Sequence, residues 1–221
     1  MSVLLAVLWK DLLVEWRSRD RIAAMGVFAL VVVVMLQFAA PPGSSPESRA
    51  HLPGLLWVAW LFAAILGLNR SFALELENDA WAALALAPAD RGWIYLGKFG
   101  ASLALLLAVQ LASGVAFALA FAVPLQPVAA PLAAVAALGA VGISAIGTLF
   151  AAVAARTQYR EAMLPLLLLP LLVPVLLGAV RATAALFAGE PLPWPPVRLL
   201  LATDAVFLIV SFLCFEYVLD E

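Results

Sequence analysis

Six apolar stretches separated by short polar segments constrain this chain more than any other feature. They lie near residues 22–40, 53–68, 97–123, 128–155, 163–180 and 199–217. A membrane helix takes about 20 residues, so six of them leave only about 100 residues for every connection. Apolar side chains make up 66% of the sequence and charged ones 12%, against about 45–50% and about 25% in a soluble domain. A single water-soluble core of this length cannot bury so much apolar surface, and the same composition excludes intrinsic disorder. The expected fold is an all-α polytopic membrane protein, with six transmembrane helices preceded by an N-terminal amphipathic interfacial helix in one transmembrane domain. No soluble catalytic domain fits in the remainder, so nucleotide chemistry would have to come from a partner chain. The net charge of −2 gives no footprint for a nucleic-acid partner. The lone Cys214 permits no internal disulfide and no CxxC pair.

Residues 2–21 are amphipathic. Leu5, Leu8, Trp9, Leu12 and Trp16 recur at three- and four-residue steps, and Lys10, Asp11, Arg17 and Ser18 occupy the other side. Such a helix lies in the headgroup layer with its tryptophans at the interface; the other reading is a short solvated lead-in to the first span. Charges from Lys10 to Arg21 interrupt the apolar run of a cleavable signal, so none is expected. The second stretch is short and is expected to continue as helix through Asn69 and Arg70. Pro124-Leu125-Gln126-Pro127 reads as a tight hairpin between the third and fourth.

Nine of the twelve Lys and Arg residues (Lys10, Arg17, Arg19, Arg21, Arg70, Arg91, Lys98, Arg156, Arg160) fall in one set of connections, and Arg49, Arg181 and Arg198 in the other. The richer set is expected to be cytoplasmic, with both termini inside. Trp9, Trp16, Trp81 and Trp93 would then line the inner boundary, and Trp57, Trp60 and Trp194 the outer one.

Gly92 to Phe99 satisfies seven positions of the phosphate-cradling GxxxxGK[ST] loop and fails at Phe99, which has no hydroxyl for Mg²⁺. Lacking a preceding strand as well, it is not read as a nucleotide site, and Lys98 is taken to mark the cytoplasmic end of span three. The longest connection, 69–94, is more informative. Glu75, Glu77 and Asp79 open a helical pattern after Phe72, Trp81, Leu84 and Leu86 follow, and Pro88 ends it. An aromatic anchor beside carboxylates suits docking into a partner's groove; a helix lying on the membrane surface is the other reading.

Several local motifs, in order, resemble the CcmB family (heme exporter protein B, of cytochrome c maturation) over most of the chain. They are Trp9-Lys10-Asp11 with the basic run to Arg21, Gly54-Leu55-Leu56-Trp57-Val58-Ala59, Phe72 with Leu84, Leu86 and Pro88, and Leu169-Pro170-Leu171-Leu172-Val173-Pro174. The resemblance implies an ABC-type permease subunit in the bacterial inner membrane. Its implied partners are a cytoplasmic ATPase resembling CcmA, membrane proteins resembling CcmC and CcmD, and a heme chaperone resembling CcmE. It implies that residues 69–94 form the coupling segment, with Phe72, Glu75, Glu77, Asp79, Trp81, Leu84 and Leu86 contacting the ATPase. ATP would bind on that partner, and heme would be substrate rather than resident cofactor. The chain departs from the family at Asn78-Asp79-Ala80-Trp81-Ala82, where the acid is displaced and a later Glu is Ala82.

Asp204 is the one carboxylate well inside an apolar stretch, one to two turns from the outer end of span six. It is read as a polar contact lining a pathway or as pairing with Arg181 across the outer loop; the other reading is a capping residue of a helix that begins later. Pro165, Pro170 and Pro174 should bend or unwind span five, and Pro170 and Pro174 are candidate pathway residues; a static kink is the other reading. Ala140, Ser144 and Thr148, with Gly139, Gly142 and Gly147, suit close helix approach inside the bundle. His51 could ligate heme iron but reads as a solvated loop side chain, and Cys214 as a packed small one. No metal site is expected. Under this reading, ATP-driven motion would push the coupling segment and shift spans one, two and five. The alternatives are an ABC permease for a lipid or drug, and a non-transporting membrane scaffold.

Overall fold

The computed structural model describes residues 3–39, 50–72, 90–123, 125–155, 157 and 160–220. These form α1 (Val3–Ser18), α2 (Asp20–Ala39), α3 (Leu52–Ser71), α4 (Arg91–Ala120), α5 (Leu125–Ala155), α6 (Arg160–Phe187) and α7 (Trp194–Asp220). No strand occurs among the described residues. Helices α2 to α7 each contain a segment long and apolar enough to cross a membrane. Within those segments 67% of residues are buried in α3 and in α5, but only 22% in α2 and in α7. The bundle is therefore built around α3 and α5, with α2 and α7 at its periphery.

Local chemistry explains where the helices begin. Asp90 N-caps α4, its carboxylate accepting from Gly92 N at 2.9 Å, which satisfies one of the orphan donors of the first turn. Helix α4 thus starts at Arg91 rather than near 97, and 91–94 are span rather than connection. Helix α7 starts at Trp194 rather than near 199, because Pro195 and Pro196 occupy its first turn, where a missing N–H has no helical partner to lose. The same reasoning moves the α4–α5 turn: it lies at Phe121–Val123, with Ala122 at φ 51°, and residues 125–127 already belong to α5. As expected, α3 runs on through Asn69 and Arg70.

Helix α6 does not unwind. It is continuous across Pro165, Pro170 and Pro174, and its buried stripe is Leu164, Leu168, Leu172, Val175, Ala179, Ala182 and Leu186. The prolines stand off that stripe, and Pro170 is exposed on the outer surface of the bundle. Arg181, expected in the outer loop, lies within α6 and is exposed.

Trp57 and Trp60 are core residues rather than a boundary belt. Both are fully buried, with rings in edge contact at 5.0 Å and 83°. In an apolar medium each indole N–H needs an acceptor. Trp57 Nε1 donates to Thr183 Oγ1 at 2.9 Å, and Trp60 Nε1 donates to Ser113 Oγ at 2.9 Å. Gly139 of α5 makes room, since a Cβ there would collide with the Trp57 ring. Trp57→Phe should strand the buried Thr183 hydroxyl and cost about 1–3 kcal/mol, read as a lower midpoint in detergent-solubilised thermal unfolding. Trp9, Trp16, Trp93 and Trp194 are exposed as a belt requires, and Cys214 is exposed rather than packed.

Candidate functional site

Three helices converge at the end of the bundle where α3 stops and α4 begins. Helix α1 packs along α4 with Val7, Asp11 and Glu15 as its buried stripe. The close approach is permitted by Gly97, where a Cβ would come within 2.8 Å of the Val7 side chain. One turn along α1 from Val7, Asp11 Oδ2 meets Lys98 Nζ at 2.9 Å, and Lys98 is only 1% exposed. The Lys98 ammonium also lies over the Phe72 ring at 5.0 Å, a cation–π contact. Phe72 is itself buried and is the last described residue before the connection of 73–89. This node therefore ties α1, the end of α3 and the start of α4 together at the root of that connection.

The acids of α1 serve a second junction. Glu15 Oε1 accepts from Ile22 N at 2.8 Å, capping the first turn of α2. The chain breaks helix at Arg19, whose φ of 58° is left-handed, and Arg19 N donates to Glu15 O at 2.7 Å. Arg21 is buried and donates Nε to Gly67 O at 3.1 Å, joining α2 to α3. Nearby, Arg70 Nη1 donates to Asp20 O at 3.4 Å, and Arg91 Nη1 to Glu216 O at 3.1 Å. The basic residues Arg21, Arg70 and Arg91 are thus structural ties between helices.

Asp204 stands apart. It lies on α7 ten residues after Trp194, about 15 Å along the helix at 1.5 Å per residue. That depth removes the capping reading and places the carboxylate nearly three turns in rather than one to two. It is buried, and neither oxygen has a hydrogen-bond partner among the described residues. Oδ1 lies 2.5 Å from where a Cβ on Gly142 of α5 would stand, with Val175 of α6 beside it. The expected pairing with Arg181 is not formed.

Of the other sequence candidates, Glu75, Glu77, Asp79, Trp81, Leu84 and Leu86 lie outside the described residues. His51 is exposed beside the start of α3, with no side-chain capping bond. No group of three potential metal ligands occurs among the described residues. Ala140, Ser144 and Thr148 are buried inside the bundle, and Gly139 and Gly142 receive Trp57 and Asp204 from α3 and α7. Lys98, expected as a boundary marker, is instead the buried centre of the node, two turns into α4. The signal for its partner was present in α1: Val7, Asp11 and Glu15 recur every four residues, a stripe hidden by the more apolar face beside it.

Comparison with known proteins identifies the architecture. The family described as CcmB protein matches residues 2–219. The chain belongs to the CcmB family. Among curated CcmB relatives, heme exporter protein B of Paracoccus denitrificans is 33% identical over 190 residues, covering 83% of this chain and 84% of that one. Heme exporter protein B of Rhodobacter capsulatus is 30% identical over 217 residues, 94% of each. That of Bradyrhizobium diazoefficiens is 30% identical over 213 residues, 96% of this chain and 94% of the other. As a CcmB protein with six spanning helices, the chain is a multi-pass membrane protein.

Proposed function

We propose that this chain is the permease subunit of an ABC-type complex that exports or delivers heme for c-type cytochrome biogenesis. It lies in the bacterial inner membrane with both termini cytoplasmic and is driven by a separate ATPase. The observation that carries this reading is the family match over residues 2–219, with relatives named heme exporter protein B. The orientation is supported by charge: Arg17, Arg19, Arg21, Arg70, Arg91 and Lys98 cluster at the end that receives α1, and Arg181 and Arg198 lie toward the opposite one. Positive residues are retained on the cytoplasmic side. The remaining partners are membrane proteins resembling CcmC and CcmD and a chaperone resembling CcmE.

Mechanically, the ATPase docks on the segment after Phe72, with Glu75, Glu77, Asp79, Trp81, Leu84 and Leu86 in contact. Motion of that segment reaches the bundle through Phe72. Because Phe72 packs on Lys98, which holds Asp11, α1 and α4 move with α3. Asp204 supplies a polar point along the path between α5, α6 and α7.

The test is deletion of the gene in its host followed by complementation. Covalently bound heme in membranes should be lost on deletion and restored by the parent chain. The variant Trp81→Ala with Leu84→Asp should restore neither heme staining nor co-purification of the ATPase. Intact heme staining after deletion would exclude the heme reading, and undiminished ATPase recovery would exclude the docking segment.

A further inference from the structure

Helix α1 has three faces, and only one of them touches the bundle. Val7, Asp11 and Glu15 are buried against it. Leu5, Trp9, Leu13 and Trp16 point away, with Trp9 62% and Trp16 73% exposed. Arg17 follows Lys10 by seven residues, so both lie along one flank of the apolar strip, and Arg19 stands just beyond the helix with its guanidinium over the Trp16 ring at 5.9 Å. The consequence is a sorting of charge by direction. Both acids of α1 are turned inward, on Lys98 and on the amide of Ile22. Of the bases, Lys10 holds the other oxygen of Asp11 at 3.2 Å, while Arg17 and Arg19 are exposed. The outward surface of a helix in a net-negative chain is thereby left apolar with a cationic rim.

We infer that α1 is a binding surface for anionic phospholipid, with Arg17 and Arg19 on the headgroups and Trp9 and Trp16 in the acyl boundary. Tryptophan belongs at the headgroup level, where its ring is apolar and its N–H is wet. Guanidinium groups match phosphate with paired donors, and each basic group near an anionic surface strengthens attachment. A partner helix would be satisfied by the apolar strip alone. The cationic rim is what selects lipid, because it lies at the level of the phosphates once the strip is immersed.

The test uses the full chain in nanodiscs that contain a minor fraction of brominated lipid, which quenches tryptophan it touches. The Trp9 and Trp16 contribution is obtained by difference from Trp9→Phe with Trp16→Phe. Quenching of that contribution should be at least about twofold stronger with brominated phosphatidylglycerol than with brominated phosphatidylcholine at equal mole fraction. The preference should shrink at high salt and vanish in Arg17→Gln with Arg19→Gln. Equal quenching by the two lipids, or a preference that survives the arginine substitutions, would overturn the assignment. Quenching by neither lipid would overturn it too, because the face would then not meet lipid at all.

Discussion

Replacing Lys98 by methionine should cost about 1–3 kcal/mol, because it leaves the buried Asp11 carboxylate with only the half-exposed Lys10 ammonium at 3.2 Å as counter-charge. Both partners are nearly inaccessible, at 1% and 7% side-chain exposure, so water cannot take over the solvation that Lys98 provides. Helix α1 is attached to the body mainly along α4, and the loss should appear as its release. The observable is a lower unfolding midpoint in detergent, together with new proteolytic cleavage between residues 3 and 18. The double variant Lys98→Met with Asp11→Leu should recover most of the loss, since a buried pair replaced by apolar groups of similar volume is often neutral or better. Additive losses in the double variant would mean that the two residues do not act as a pair. Under the proposed mechanism the single variant should also lower cytochrome c heme staining, because Phe72 loses the ammonium it packs on.

Asp204→Asn is expected to separate stability from function. A buried carboxylate with no hydrogen-bond partner among the described residues adds little to holding α5 and α7 together, and a charge at such depth in a bilayer is expensive. The neutral isostere should therefore be at least as stable as the parent and accumulate to the same level. Heme attachment to c-type cytochromes should nonetheless fall on the order of tenfold if the carboxylate is kept for transport, as intramembrane acids usually are. Unchanged heme attachment would remove Asp204 from the pathway. A fall in protein abundance would instead assign it a structural role. Gly142→Val provides an independent route to the same site, since its Cβ would enter the space held by Asp204 Oδ1 and the Val175 side chain.

These two sites differ in how legible they were. Asp204 is conspicuous as the one acid inside an apolar run, but its depth depends on where α7 begins, and the Pro195–Pro196 pair reads as a break when it opens a helix. Lys98 is conspicuous only as part of a false phosphate loop. Its significance comes from Asp11, a residue remote in sequence that the amphipathic pattern puts on the polar side of an interfacial helix. The same holds for Trp57 and Trp60. Placement near a span end suggests a boundary belt, and only the acceptors Thr183 and Ser113 on other helices reveal a buried pair.

The number of apolar spans, the helical class, the basic end and the family could all be read from the residues in order. Each of these is a sum over local residues, and the bilayer makes such sums decisive because every backbone group must be satisfied within its own helix. Which side of each helix faces protein emerges only from the packed bundle. In lipid both the core and the surroundings are apolar, so hydrophobic periodicity no longer separates inside from outside. What separates them is the rare polar contact and the small residue opposite a large one, as at Asp11 with Lys98 and at Gly139 with Trp57. Those pairings exist only once the helices have packed.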